Sequence, residues 1–205
     1  MHPTMFCKEK VYHLLTFLGA FFHLTVADEQ IRIATTSDTN LIFGNSLFME
    51  VLEPEDIRFL FKIRPAKNFG RVFDRKYTRM PLILGSPYNG CSQLDNYEIV
   101  KDRIVMLKRG ECSFVTKTFH AQNAGAVATI ITDNDKDNDD STVDMIKDDT
   151  DREVDIPALF LLGKDGYMIQ RSIERYGLLG AIINIPVNLT GVPINTVNKP
   201  PWTLW

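Results

Sequence analysis

From residue 46 the chain alternates between short apolar runs and turn-forming breaks. SLFMEVLEP (46–54) and DIRFLFKI (56–63) are apolar-rich runs punctuated by Pro54 and Pro65, and RMPLIL (79–84) has the character of a third strand. GSPYNGCSQLDN (85–96) concentrates turn formers and predicts a loop. The centre is more regular. RIVMLK (103–108) predicts a strand, Arg109-Gly110 a turn, and Ser113 the cap of a helix that places Phe114, Thr118, Ala121 and Gly125 on one face before the glycine stops it. AVATIIT (126–132) is continuously apolar enough for a buried strand, which completes a strand-helix-strand unit. The order then recurs: IPALFLL (156–162) as a strand, Asp165 as the cap of a helix with Ile169, Ile173 and Tyr176 on one face, Gly177 as its stop, and AIINIPV (181–187) as the last strand. No sequence repeat accompanies the recurrence. Residues 28–45 lack periodicity and read as a loose leader; residues 189–205, interrupted by prolines, read as an irregular tail.

Residues 1–27 differ from the rest. Lys8 and Lys10 precede VYHLLTFLGAFFHLTVA, which closes on Thr25-Val26-Ala27, the pattern of a signal peptide cleaved after Ala27. An uncleaved anchor is the alternative, but the run is shorter than the ~20 residues a membrane span needs and is interrupted by His13 and His23. Cleavage implies a secreted protein with no membrane span. It would remove Lys8, Lys10 and Glu9, taking 23 basic and 26 acidic residues to 21 and 25, a formal charge of -4. Such a balance offers no basic surplus for a phosphate backbone, which argues against nucleic acid. Cys91 and Cys112 become the remaining cysteines, and in an oxidising compartment they read as one disulfide, with two buried free thiols as the alternative. Secretion also gives meaning to the sequon Asn188-Leu189-Thr190, which makes Asn188 a candidate glycosylation site.

Candidate chemistry is sparse. His120 is the one histidine after residue 27; it falls inside the central predicted helix, and no Gly-x-Ser-x-Gly turn, C-x-x-C, H-E-x-x-H or glycine-rich phosphate loop is present. A small secreted hydrolase is therefore the weaker alternative, and no catalytic residue, metal or cofactor is expected. The acidic stretch DNDKDNDDSTVD (133–144) puts oxygen side chains at the calcium-ligand positions of an EF-hand loop, counting from Asp133. Asn138 replaces the glycine of that loop, however, and a strand rather than a helix leads into it. A solvated acidic loop, held open by its own repulsion, is the expectation, with a calcium-dependent adaptor as the alternative.

One stretch, KDRIVMLKRGECSFVTKTFHAQNAGAVATIITDN, resembles the protease-associated (PA) domain family in an ordered series: Arg109, Gly110, Cys112, Phe114, Lys117, Ala121, Gln122, Ala124, Gly125, Ala126, Asp133 and Asn134. The segment IPALFLLGKDGYMI (156–169) is similar to the family's Ile-Pro strand and following helix, and residues 46–188 would make one such domain. The resemblance implies a mixed α/β fold, an open β-barrel or sandwich flanked by short helices, without catalysis of its own. PA domains commonly accompany proteases, ubiquitin ligases or sorting receptors and help to bind proteins or peptides. In sorting receptors the loop equivalent to Arg109, Gly110, Glu111 and Cys112 contributes to peptide binding. Backbone donors at a turn before a helix suit a carboxylate, which agrees with that role, while a purely local part for Arg109 and Gly110 in the turn is the competing reading. The expectation is a secreted, glycosylated, non-enzymatic module that binds a protein or peptide.

Overall fold

The computed structural model describes residues 46–203. The expected signal peptide, the leader and Trp205 lie outside the described residues.

Seven strands form the sheet: β1 (Leu47–Glu53), β2 (Leu60–Pro65), β3 (Tyr77–Leu84), β4 (Ile104–Lys108), β5 (Ala128–Thr132), β6 (Ala158–Leu161) and β7 (Gly180–Ile185). They close in the order β1-β2-β6-β5-β4-β3-β7, with β7 returning to β1. The mixed α/β barrel implied by the resemblance is present, but it is closed rather than open, because β7 pairs with β1 and leaves the sheet no free edge. Neighbours from β3 through β4 and β5 to β6 run parallel, and the remaining pairs are antiparallel.

The sequence patterns follow from this division. Parallel strands are covered on both sides, so β5 (ATIIT) and β6 (ALFL) are buried at every position, whereas antiparallel β7 alternates buried and part-exposed residues. In β4, Ile104 and Met106 point into the barrel, where they meet Phe61, Ile130 and Leu159. Val105 and Leu107 point outward onto Ala121 of the central helix. Ile131 and Phe160 face outward against Met145, which pins the long β5–β6 connection to the sheet.

Among the described residues three α-helices accompany the strands: α1 (Tyr97–Val100), α2 (Phe114–Asn123) and α3 (Gly163–Arg175). Ser113 caps α2 as expected, its hydroxyl accepting from the Thr116 N–H at 3.0 Å. Thr118 and Ala121 are buried with Val115 and Lys117, while Phe114 is half-buried. At α3 the expectation fails in two places. Asp165 does not cap the helix: α3 starts two residues earlier, directly from β6, and the Asp165 side chain is buried in its first turn. Tyr176 is 54% exposed because α3 ends at Arg175, before it; Gly177, with φ +59°, turns the chain there as expected.

Residues 189–203 fold back on the barrel. The Leu60 N–H donates to the Asn198 carbonyl, Trp202 meets the Phe59 ring edge-on at 6.1 Å, and its Nε1–H donates to Asp165 Oδ1 at 2.8 Å. Trp202 is thereby packed against the domain. Among the described residues, no helix is long and apolar enough to cross a membrane.

Candidate functional site

Strands β3 to β6 deliver their carboxyl ends to one rim of the barrel, the position where parallel α/β sheets bind ligands. Tyr88 follows β3, Arg109 follows β4, Asp133 follows β5, and α3 follows β6. The Lys108 N–H donates to the Tyr88 carbonyl and the Arg109 N–H to that of Thr132, each at 2.8 Å, so these loops have fixed relative positions. Between them lies a cleft of about 40 Å³ lined by Tyr88, Lys108, Asp133, Asn134, Lys136 and Tyr167. That is room for a single small polar group. The Tyr88 hydroxyl is buried and has no hydrogen-bond partner among the described residues, and burial pushes its pKa up.

Arg109 and Asp133 dominate the rim. Arg109 Nη1 donates to Asp133 Oδ1 at 3.0 Å; its side chain is 38% exposed while that of Asp133 is 5% exposed. Asp133 also accepts from the Asn134 N–H at 2.7 Å and, through Oδ2, from Asn138 Nδ2 at 2.6 Å. Burial alone would raise its pKa, but the hydrogen bonds from Asn138, Arg109 and Asn134 outweigh it and hold the carboxyl below the usual range. Asp133 therefore stays ionised at neutral pH and fixes the partly exposed Arg109 guanidinium.

The rest of the expected loop is held from below. Gly110 has φ +107° and Glu111 φ +67°, a tight turn that sets Cys112 against Cys91. The two cysteines form the expected disulfide, with Cα atoms 5.7 Å apart. Exposed Glu111 accepts from Asn89 Nδ2. Beneath them Lys117, fully buried, donates to the carbonyls of Asn89 at 2.5 Å and Gly110 at 2.6 Å. A lysine on a helix ordinarily reads as solvent-facing, so only its place in the motif series hinted at this role. Asn89 and Tyr88, in a stretch legible merely as turn formers, carried no signal of theirs.

His120 is half-buried in α2, its ring against Phe119, with its pKa lowered by burial and by Arg152. Residues 133–144 correct one expectation. The acidic loop is not simply held open by repulsion; three of its six carboxylates, Asp133, Asp139 and Asp144, are tied to basic side chains. Asp139 pairs with Lys164 at 2.7 Å, and Asp144 pairs with Arg64 at 3.1 Å and Lys67 at 2.5 Å. The sequence shows the acids densely spaced, whereas their cationic partners come from β2, the residues after it and α3. Downstream, Asp148 accepts from the Ser113 hydroxyl at the start of α2, so one of the chain's own carboxylates occupies the anion-favouring helix end. Among the described residues, no cluster of three or more acidic, histidine or cysteine side chains is arranged to hold a metal. With Asp133, Asp139 and Asp144 each engaged by a different cation, calcium should leave the melting midpoint unchanged. A structural site at 100 times its dissociation constant would add about 2.7 kcal/mol, so a calcium-against-chelator melt reads the difference directly.

A barrel with this parallel rim, the Arg109-Gly110-Glu111-Cys112 turn and the Asp133-Asn134 turn together define a PA domain. The family model described as "PA domain" matches residues 78–169, and the chain belongs to this family. It is 38% identical over 181 residues to the PRADC1-like protein of Drosophila melanogaster, covering 85% of this chain and 92% of that protein. It is 37% identical over 124 residues to the human ER degradation-enhancing alpha-mannosidase-like protein 3, covering 58% of this chain and 13% of that protein. Among solved structures, a zinc aminopeptidase from Bacillus subtilis aligns with a TM-score of 0.46 at 17% identity, over 67% of this chain and 29% of that one.

Proposed function

We propose that the chain is a non-enzymatic interaction module of the secretory pathway that binds a protein or peptide segment at the carboxyl end of its barrel, through Arg109, Gly110 and Glu111. The observation that carries this reading is the fixed Arg109 guanidinium, ionised against buried Asp133 yet 38% open to solvent beside the cleft. A guanidinium already held by one carboxylate loses little freedom when it takes a second, so an acidic side chain or terminal carboxylate of the ligand is the natural complement. His120, tied up in α2, supplies no base beside a nucleophile, which supports a binding role over hydrolysis.

Passage through the secretory pathway is supported by the signal-like pattern of residues 1–27. Asn188 is exposed, and its Oδ1 accepts from the Thr190 N–H at 2.9 Å, a geometry open to a glycan. The decisive experiment is crosslinked affinity capture of the secreted chain, wild type against an Arg109→Ala, Glu111→Ala variant. The variant should keep its melting behaviour to within a few degrees and lose the specific partners at least tenfold. Identical partner lists would retire the Arg109 rim as the site.

A further inference from the structure

We propose that the Cys91–Cys112 bond is a thiol–disulfide exchange site, at which a vicinal dithiol attacks Cys112 and Lys117 receives the departing Cys91 thiolate. This role is separate from ligand binding and does not depend on it.

The argument starts from an ammonium in an unusual place. Lys117 is 0% exposed, and among the described residues no ion pair joins it to a carboxylate. Buried charges are ordinarily paired, because their desolvation is costly. An ammonium has three N–H donors. Two go to the carbonyls of Asn89 and Gly110, and the third contact, at 3.4 Å, is Cys91 Sγ. A disulfide sulfur is a poor acceptor. A thiolate at the same point would be both a strong acceptor and the missing counter-ion. The oxidised protein therefore leaves its buried cation underused, and reduction supplies the partner.

The direction of attack follows. The better leaving group is the sulfur whose thiolate is stabilised, which is Cys91, so the nucleophile attacks Cys112. Both cysteines are part-exposed, and Cys112 sits in the turn beside exposed Glu111. One thiolate of the dithiol forms a bond to Cys112 Sγ; the Cys91–Cys112 bond breaks and its electron pair stays on Cys91 Sγ, facing Lys117. The second thiol then displaces Cys112, which takes up that thiol's proton, while the first thiol's proton has gone to solvent. The dithiol ends as a disulfide and the two protein sulfurs are reduced. Lys117 from α2 favours the thiolate, and Glu111, whose charge reaches Lys117 from the turn before α2, is the carboxylate that works against it. The carbonyl oxygens of Asn89 and Gly110, at 3.6 and 3.7 Å, also oppose it, but each accepts a hydrogen bond from the Lys117 ammonium, which offsets their partial negative charge. Reduction would release the crosslink between the loop after β3 and the turn after β4, the two segments that frame the rim.

The test uses the full chain. After dithiothreitol reduction, iodoacetamide labelling across pH 5.5–9.5 is read by peptide mass spectrometry for each cysteine, so the pH midpoint rather than the absolute rate is compared. The Cys91 midpoint should lie at least one unit below that of Cys112, about a tenfold greater thiolate fraction near neutrality. Lys117→Met should close that gap. Separately, oxidised wild type treated with limiting reduced glutathione should carry the adduct on Cys112. Wild-type midpoints within one unit of each other, or an adduct mainly on Cys91, would overturn the proposal. Both readouts stand on wild type if the Lys117→Met chain fails to fold.

Discussion

Gly163→Ala should lower stability by about 3 kcal/mol, a loss of roughly 6–12 °C in melting temperature for a domain of this size. A Cβ at residue 163 would lie 1.7 Å from the Asp135 carbonyl oxygen and 2.7 Å from its carbonyl carbon, contacts with backbone rather than with a side chain that can rotate away. The start of α3 is wedged against the turn that follows β5, and only the missing side chain permits it. Relief requires moving residues 133–135, and Asp133 carries the hydrogen bonds that fix Arg109. The same substitution should therefore weaken any binding that depends on the Arg109 rim. Gly177→Ala is the control: it also replaces a glycine at the opposite end of α3, but nothing lies within 4 Å of the added Cβ and the cost is that of φ +59° alone, about 1–2 kcal/mol. Equal losses of stability and of binding in the two variants would show that the wedge at Gly163 does not hold the rim.

That wedge also marks where sequence reading stops. Each strand was legible because burial imposes a local pattern: AVATIIT is apolar throughout since β5 is covered on both faces, and Ser113 sits one residue before a helix whose N–H groups need an acceptor. Asp165 was misplaced for an equally physical reason. An aspartate near a helix start suggests a cap by local rules, yet its partner is Trp202, 37 residues away, brought there by the returning tail. The acidic loop misled in the same manner, since Arg64, Lys67 and Lys164 reach Asp144 and Asp139 from elements distant in the chain. At the rim, Arg109, Gly110 and Glu111 were visible through their motif, while Lys117 beneath them was not visible as a buried cation. Hydrophobic periodicity reports which face is covered; it carries no information on a long side chain whose stem is buried and whose ammonium finds carbonyls from two other loops.

The pH dependence of stability should expose Asp165. It is fully buried; Oδ1 accepts from Trp202, and Oδ2 has no partner among the described residues. Burial pushes its pKa up to about 6; the Trp202 hydrogen bond opposes this, the charge of Asp139 adds to it, and Lys164 opposes it. In the unfolded chain an aspartate titrates near ~3.9, so the folded protein holds the proton more tightly. Asp165 therefore contributes stability that is fully present below about pH 4 and is lost as pH rises through about 6, and the two-unit shift corresponds to about 3 kcal/mol. Asp133 acts with the opposite sign: its depressed pKa gives stability that is present above ~3.9 and lost only on stronger acidification. Between pH 4.5 and 7.5 the Asp165 contribution falls as pH rises and exceeds that of Asp133, while His120, whose pKa is lowered, acts in the opposite sense, so the Asp165 trend is read as the difference between wild type and Asp165→Asn. Asp165→Asn keeps an oxygen for Trp202 and cannot ionise, so it should flatten that trend whatever constant offset its amide introduces. Urea unfolding at pH 4.5, 6.0 and 7.5 compares the slopes; an undiminished slope in Asp165→Asn would place the titrating group elsewhere.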